Sequence, residues 1–120
     1  MSKKILVVED HSDARRVFSL ILGHAGHAIS EAANSTQAIE KSLSESPDLI
    51  LMDVSLPGVS GFDLARTIKS NPETTNISII ACSGWTQSGM KTEAQKVGVV
   101  EYLTKPIAST ELLAAIGRHI

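Results

Sequence analysis

Five times along this chain a short apolar run is followed by a stretch with helical spacing, and this alternation constrains the fold more than any other feature. The runs are Ile5 to Val8, Ala28 to Ala32, Leu49 to Met52, Ile77 to Cys82 and Val99 to Leu103. A strand that is apolar at every position is covered on both faces. That cover takes helices on each side and therefore favours a parallel sheet. The mixed composition of Ala28 to Ala32 marks it as an edge strand, and Leu49 to Met52 reads as a central one.

Between the runs, Ala14, Val17, Phe18, Ile21, Leu22 and Ala25 share a helix face, with Ser12 or Asp13 available as a cap and Gly26 as a terminator. Asn34 with Gln37 forms a capping-box pattern that opens a helix turning Ala38, Ile39, Ser42 and Leu43 inward. A third helix carries Leu64, Ala65 and Ile68 and stops at Asn71 and Pro72. A short fourth carries Met90, Ala94 and Val97 and closes at Gly98, and a fifth starts near Ser109 and buries Leu112, Leu113 and Ile116. Right-handed crossovers make these units a doubly wound five-stranded sheet of the α/β class, (βα)5, since a closed barrel takes eight units. Residues 1–120 read as a single domain.

A hydrophobic fraction of 42% and a charged fraction of 20% suit a soluble globule. The formal charge of −2 supplies no field to draw phosphate backbones or anionic lipid, and one Trp, one Tyr and two Phe make a poor stacking platform for single strands. No nucleic-acid or membrane role is therefore expected of this chain alone. Its apolar runs fall far short of the ~20 residues of a membrane helix. The N-terminus, MSKKILVVED, places charge inside what a signal peptide would keep apolar, and the lone Cys82 has no partner for an internal disulfide. A cytoplasmic location is expected.

Open parallel sheets bind ligands at the carboxyl ends of their strands. Four of the five runs end there in polar residues with no packing role: Glu9 and Asp10, Asp53, Ser83, and Thr104 with Lys105. Crowded carboxylates repel one another unless a cation compensates, and hard oxygen donors suit Mg²⁺. A carboxylate ringed by Mg²⁺, a lysine and a hydroxyl is a site for a phosphoryl group carried on that carboxylate.

The segments VVEDH (7–11), LILMDVSLPGVSG (49–61), IIACSG (79–84) and YLTKPI (102–107) together resemble the receiver domain of two-component response regulators, and the resemblance covers essentially all 120 residues. It implies the flavodoxin-like strand order 2-1-3-4-5. It also implies that Asp53 is the phosphoacceptor and that Mg²⁺ is held by Glu9, Asp10, Asp53 and the Ser55 backbone carbonyl. Ser83 and Lys105 would engage the phosphoryl oxygens, Tyr102 would be the aromatic switch, and Pro106 would follow a cis peptide. The implied partners are a sensor histidine kinase or histidine phosphotransfer protein, and a downstream protein or fused output domain. Those targets would be reached through the fourth helix, fifth strand and fifth helix. Such a chain is not an enzyme with external turnover; it catalyses its own phosphorylation and dephosphorylation. Trp85 stands where smaller or polar residues are common and could shield the phosphoryl group from water, and residues 86–91 open the fourth helix with uncommitted polar side chains.

Plainer roles compete at single positions. Asp53 could cap a loop, Ser83 could be a turn hydroxyl, and Tyr102 could be a strand tyrosine that never moves. His11 beside the acidic pair reads as a solvated loop residue, His24 and His27 as polar residues at a helix end, and Arg15 and Arg16 as surface residues. Gly58 and Gly61 lack the spacing of a phosphate-binding loop, and Cys82 reads as a small apolar side chain. Two rival functions share the chemistry. A haloacid-dehalogenase-type aspartyl-phosphate phosphatase would need a second Asp two residues after the nucleophile, where Ser55 stands. An unphosphorylated receiver-like interaction domain would need none of the chemical positions filled.

Overall fold

The computed structural model of the chain describes residues 3–54, 61–84 and 90–120, Met90 by its backbone alone. The strands are β1 (Lys4–Val8), β2 (Ala28–Ala32), β3 (Leu49–Asp53), β4 (Ser78–Ser83) and β5 (Glu101–Thr104). The helices are α1 (Ser12–His24), α2 (Ser35–Glu45), α3 (Gly61–Ser70), α4 (Met90–Lys96) and α5 (Ser109–Arg118). All pairings are parallel, in the order β2-β1-β3-β4-β5. The expected order and the edge position of β2 both hold.

Period two along each strand divides the apolar residues between two faces. Leu6, Val8, Ile50, Met52, Ile79 and Ala81 meet Ala38 of α2, Leu64, Ala65 and Ile68 of α3, and Ala94 of α4. Ile5, Val7, Leu49, Leu51, Ile80 and Cys82 meet Phe18 and Leu22 of α1 and Leu112, Ala115 and Ile116 of α5. Each Leu or Ile buried this way contributes about 1.5–3 kcal/mol. Because β3 is buried at all five positions, its exit is anchored from both faces, and so is the Asp53 backbone.

Three apolar residues expected inside lie largely outside: Val17 is 53% exposed, Leu43 42% and Leu113 37%. Each is next in sequence to the residue that takes the buried place, Phe18, Ser42 or Leu112. Successive residues turn roughly 100° round a helix, so a stripe set by Phe18 and Leu22 leaves Val17 about a third of a turn off. Ala25 is exposed as well.

The ends of the elements also differ in detail from the sequence reading. α1 is capped by His11 without a side-chain cap bond, instead of by Ser12 or Asp13. Asn34 does cap α2, accepting from Gln37 N at 2.9 Å, while Gln37 Oε1 accepts from Ala33 N at 2.8 Å. β4 starts at Ser78, and β5 starts two residues after Val99. The Val99 N–H is used instead to close α4, donating to Ala94 O at 2.9 Å across Gly98, which has φ +91°. At the start of α3, Gly61 lies so close to the β3 exit that a Cβ would collide with the Val54 backbone and sit 3.0 Å from Asp53 O. Glycine there lets α3 begin directly against the end of β3. No helix among the described residues is long and apolar enough to cross a membrane.

Candidate functional site

The parallel sheet brings the polar strand ends to one edge. Glu9 continues β1, its N–H donating to Ala32 O at 3.1 Å, and is fully buried at 0% exposure. Asp53 closes β3 at 2% exposure, and Ser83 closes β4 at 1%. The registers Asp53 with Cys82 and Ser83 with Thr104 set these residues on adjacent strands. Lys105 follows β5, held by its N–H to Ser83 O at 2.8 Å and followed by the expected cis peptide to Pro106.

The Lys105 ammonium is the centre of the arrangement. Its Nζ donates to Glu9 Oε1 at 2.5 Å and to Asp53 Oδ2 at 3.0 Å, and it stands 5.9 Å from the centre of the Phe18 ring. Burial pushes the Glu9 carboxyl above its usual range; Lys105 opposes this, and the neighbouring Asp53 carboxylate reinforces it. Burial alone would lower the Lys105 pKa, but the Glu9 and Asp53 carboxylates outweigh it and hold the ammonium above its ordinary value. The cluster thus keeps its cation firmly charged while burial works against ionisation of Glu9. Cys82, behind it, has its thiol pushed up to about 12 by burial, which leaves it an inert packing group.

Asp10 is partly exposed, yet its Oδ1 is buried and accepts no hydrogen bond. A buried carboxylate oxygen without a donor is costly, and its deficit is what a hard divalent cation relieves. The donor set of Glu9, Asp10 and Asp53 therefore fits Mg²⁺. The Ser55 carbonyl, Gly58, Trp85 and residues 86–89 lie outside the described residues, and so do the expectations attached to them.

Arg15, read as a surface residue, is partly buried beside the acids, whereas His11 is solvent-exposed as expected. Arg15 Nη1 donates to Glu9 O at 2.8 Å and its Nε to Glu31 Oε1 at 2.9 Å, clamping the exits of β1 and β2 together. His11 turns Nδ1 toward the acidic pair, 3.3 Å from Asp10 Oδ1 and 3.6 Å from Glu9 Oε2. Nothing in the helical pattern marks Arg15 for this role; only the adjacency of His11 to Glu9 and Asp10 was legible. His24 is exposed, whereas His27 is partly buried and accepts from Lys3 N at 3.3 Å. Tyr102 is half-buried against the face covered by α2, α3 and α4, and lines a cavity of about 250 Å³ with Lys91 and Gln95 of α4.

The geometry agrees with what this chain is similar to. The family model for the response regulator receiver domain matches residues 5–117. The chain belongs to that family. It is a receiver domain, a signalling switch of two-component phosphorelays. Chemotaxis protein CheY of Thermotoga maritima is 32% identical over 98% of this chain and 98% of that protein. The phosphate regulon transcriptional regulatory protein PhoB of Pseudomonas aeruginosa is 37% identical over 97% of the receiver domain but only 51% of its own length, so this chain spans about half of that relative. Among solved structures, chemotaxis protein CheY4 of Vibrio cholerae superposes with a TM-score of 0.94 at 27% identity over the whole of both chains. The receiver domain of a Pseudomonas aeruginosa sensor histidine kinase superposes with a TM-score of 0.89 at 28% identity, over 99% of this chain and 98% of that one. That structure has a magnesium ion coordinated in its active-site cleft.

Proposed function

We propose that residues 1–120 act as one phosphorylation-controlled receiver with Asp53 as the phosphoacceptor. The observation that carries this reading is the Lys105 ammonium bridging two buried strand-end carboxylates, Glu9 and Asp53. A carboxylate oxygen of Asp53 attacks the phosphorus of a phosphohistidine on a sensor kinase or phosphotransfer protein. A P–O bond forms as the P–N bond breaks; the bonding pair returns to the imidazole nitrogen, which takes up a proton from solvent. Transfer of this kind is mostly positioning and charge neutralisation. Glu9, Asp10 and Asp53, with the Ser55 carbonyl that the family resemblance implies, would hold a divalent cation, which would supply charge neutralisation when bound. Lys105, already 3.0 Å from Asp53 Oδ2, moves its bond from the carboxylate to a phosphoryl oxygen, and the Ser83 hydroxyl donates to another.

Drawing Ser83 inward pulls on the chain after β4 and lets Tyr102 follow, changing the surface built from α4, β5 and α5 that a downstream protein or output domain reads. The aspartyl phosphate need only favour a minor conformation already present. Moving a 1:99 population to 99:1 requires about 5.5 kcal/mol of differential stabilisation. The domain modifies and demodifies itself and turns over no external substrate, in the cytoplasm where such kinases deliver their signal.

Incubation with Mg²⁺ and a small phosphodonor such as phosphoramidate, followed by intact-mass measurement, tests the assignment. One phosphoryl adduct is expected on the wild type and none on Asp53→Asn. An adduct persisting on Asp53→Asn at the wild-type rate would overturn it.

A further inference from the structure

The guanidinium of Arg15 closes a gap in the sheet beside the acidic pair. Glu9 extends the β1 ladder by one bond, its N–H donating to Ala32 O at 3.1 Å. β2 ends at Ala32, and the chain turns away through Asn34, the cap of α2. In a parallel ladder the N–H and C=O of one residue serve the same neighbouring strand, so Glu9 O has outrun the strand that would answer it. Arg15 Nη1 answers it instead, at 2.8 Å. We infer that Arg15 is the positioning residue for Asp10: it fixes the peptide between Glu9 and Asp10, so that the Asp10 carboxylate is aimed into the acidic pocket before any cation binds. The inference rests on the receiver reading for the acids and gives a part in it to a residue that touches neither cation nor phosphoryl group.

A peptide unit is planar, so the direction of its carbonyl sets the direction of the following N–H. Holding Glu9 O therefore restricts ψ of Glu9 and φ of Asp10, and with them the Asp10 Cα–Cβ bond. Such a hold is needed. Asp10 Oδ1 is buried and accepts no hydrogen bond, an arrangement that costs free energy and would be relieved if the side chain swung outward. Arg15 is itself held: its Nε donates to Glu31 Oε1 at 2.9 Å, its side chain is 19% exposed, and Lys41 of α2 donates to the Glu31 carbonyl. The planar fork of a guanidinium can grip a carbonyl and a carboxylate at once, which the point charge of a lysine does less well.

Position and charge predict opposite results. The Arg15 guanidinium is a positive charge one hydrogen bond from the backbone of a cation ligand. By Coulomb's law alone, its removal would tighten cation binding. If it acts by positioning, its removal weakens binding, because loss of groups that orient metal ligands costs about 10–100-fold in affinity.

Calorimetric titration of the whole chain with Mg²⁺ in wild type, Arg15→Met, Arg15→Lys, Arg16→Met and Thr74→Val tests the inference. Arg15→Met is expected to weaken Mg²⁺ binding about tenfold, and Arg15→Lys, which keeps the charge but not the fork, by a smaller factor. Arg16→Met removes the same charge from an exposed neighbour and should leave binding unchanged or slightly tighter. Thr74→Val removes a buried hydroxyl bond to Ile68 O beyond the far end of α3. It should lower the urea midpoint without moving the Mg²⁺ affinity, which separates positioning from a general loss of stability. Unchanged or tighter binding in Arg15→Met would overturn the inference and leave the metal site standing, and so would equal weakening in Arg16→Met. A wild type that binds no Mg²⁺ would overturn the receiver reading of the acids, and this inference with it.

Discussion

Glu9 and Glu101 are both glutamates held by cations, at opposite ends of the same sheet, and their surroundings drive them in opposite directions. Glu9 is fully buried, shares Lys105 with Asp53, and has its carboxyl pushed up, chiefly by burial. Glu101, at the start of β5, meets the Arg118 guanidinium from α5 and His119 Nε2 at 2.8 Å; the hydrogen bond from Arg118 holds its carboxyl below the usual range. Similar parts serve two purposes. At the exposed cluster a single acid has a guanidinium of its own and an imidazole beside it, which suits a clasp between β5 and the end of α5. At the buried cluster the acids outnumber the cation, which suits a place where further positive charge, and then a phosphoryl group, must arrive.

The difference should appear first on removing the shared cation. Lys105→Met removes the cation shared by two buried carboxylates, and a loss of about 3 kcal/mol in urea unfolding at neutral pH is expected. Mg²⁺ should restore part of it; an unchanged midpoint would show that Lys105 neutralises neither acid. Next in size, Glu9→Gln removes one of two crowded acids and is expected to raise stability by about 1 kcal/mol while weakening Mg²⁺ binding, because the burial and like-charge cost of Glu9 is relieved while Lys105 keeps Asp53 as its partner. A destabilised Glu9→Gln would mean that the acid is fully compensated in the folded chain.

The smallest effect belongs to the clasp. The folded pKa of Glu101 lies below its ordinary value of 4.5, so its stabilising contribution is present above that value and is lost as pH falls through the lowered one. Glu101→Gln should therefore cost a little stability near neutrality and nothing at the acid end. Molar salt should erase that cost by screening while leaving the Lys105→Met loss in place. Glu9 has the reverse sign: with its folded pKa above 4.5, its contribution weakens as pH rises from 4.5 through the raised value. Acid titrations of Glu9→Gln and Glu101→Gln should accordingly depart from wild type in opposite senses.

Much of this was legible in the residue order. Continuous apolar runs such as Leu49 to Met52 can be satisfied only by cover on both faces, so the sheet and its central strand follow from periodicity. The polar residues that end those runs, Glu9, Asp53, Ser83 and Lys105, stood out because a core strand has no packing use for them. Helix phase was less legible. A stripe of six apolar positions on α1 is wider than the surface the sheet offers, and only the packed sheet decides that Phe18 and not Val17 turns in. Arg15 escaped notice because its partner, the Glu9 carbonyl, is a backbone group with no mark in the sequence, and its second partner, Glu31, lies on a different strand.

The ion pair between Glu9 and Lys105 also joins residues 96 positions apart, the first strand's exit to the last strand's exit. During synthesis the acids emerge early and their cation late. Until β5 has docked, any partial sheet that buries Glu9 beside Asp53 does so without its neutralising charge, so electrostatics disfavours early consolidation of the central strands. A ribosome-bound chain ending before Lys105 is thus expected to stay looser than its lost apolar area alone would require, and addition of the fifth unit closes both the sheet and its charge balance in one cooperative step.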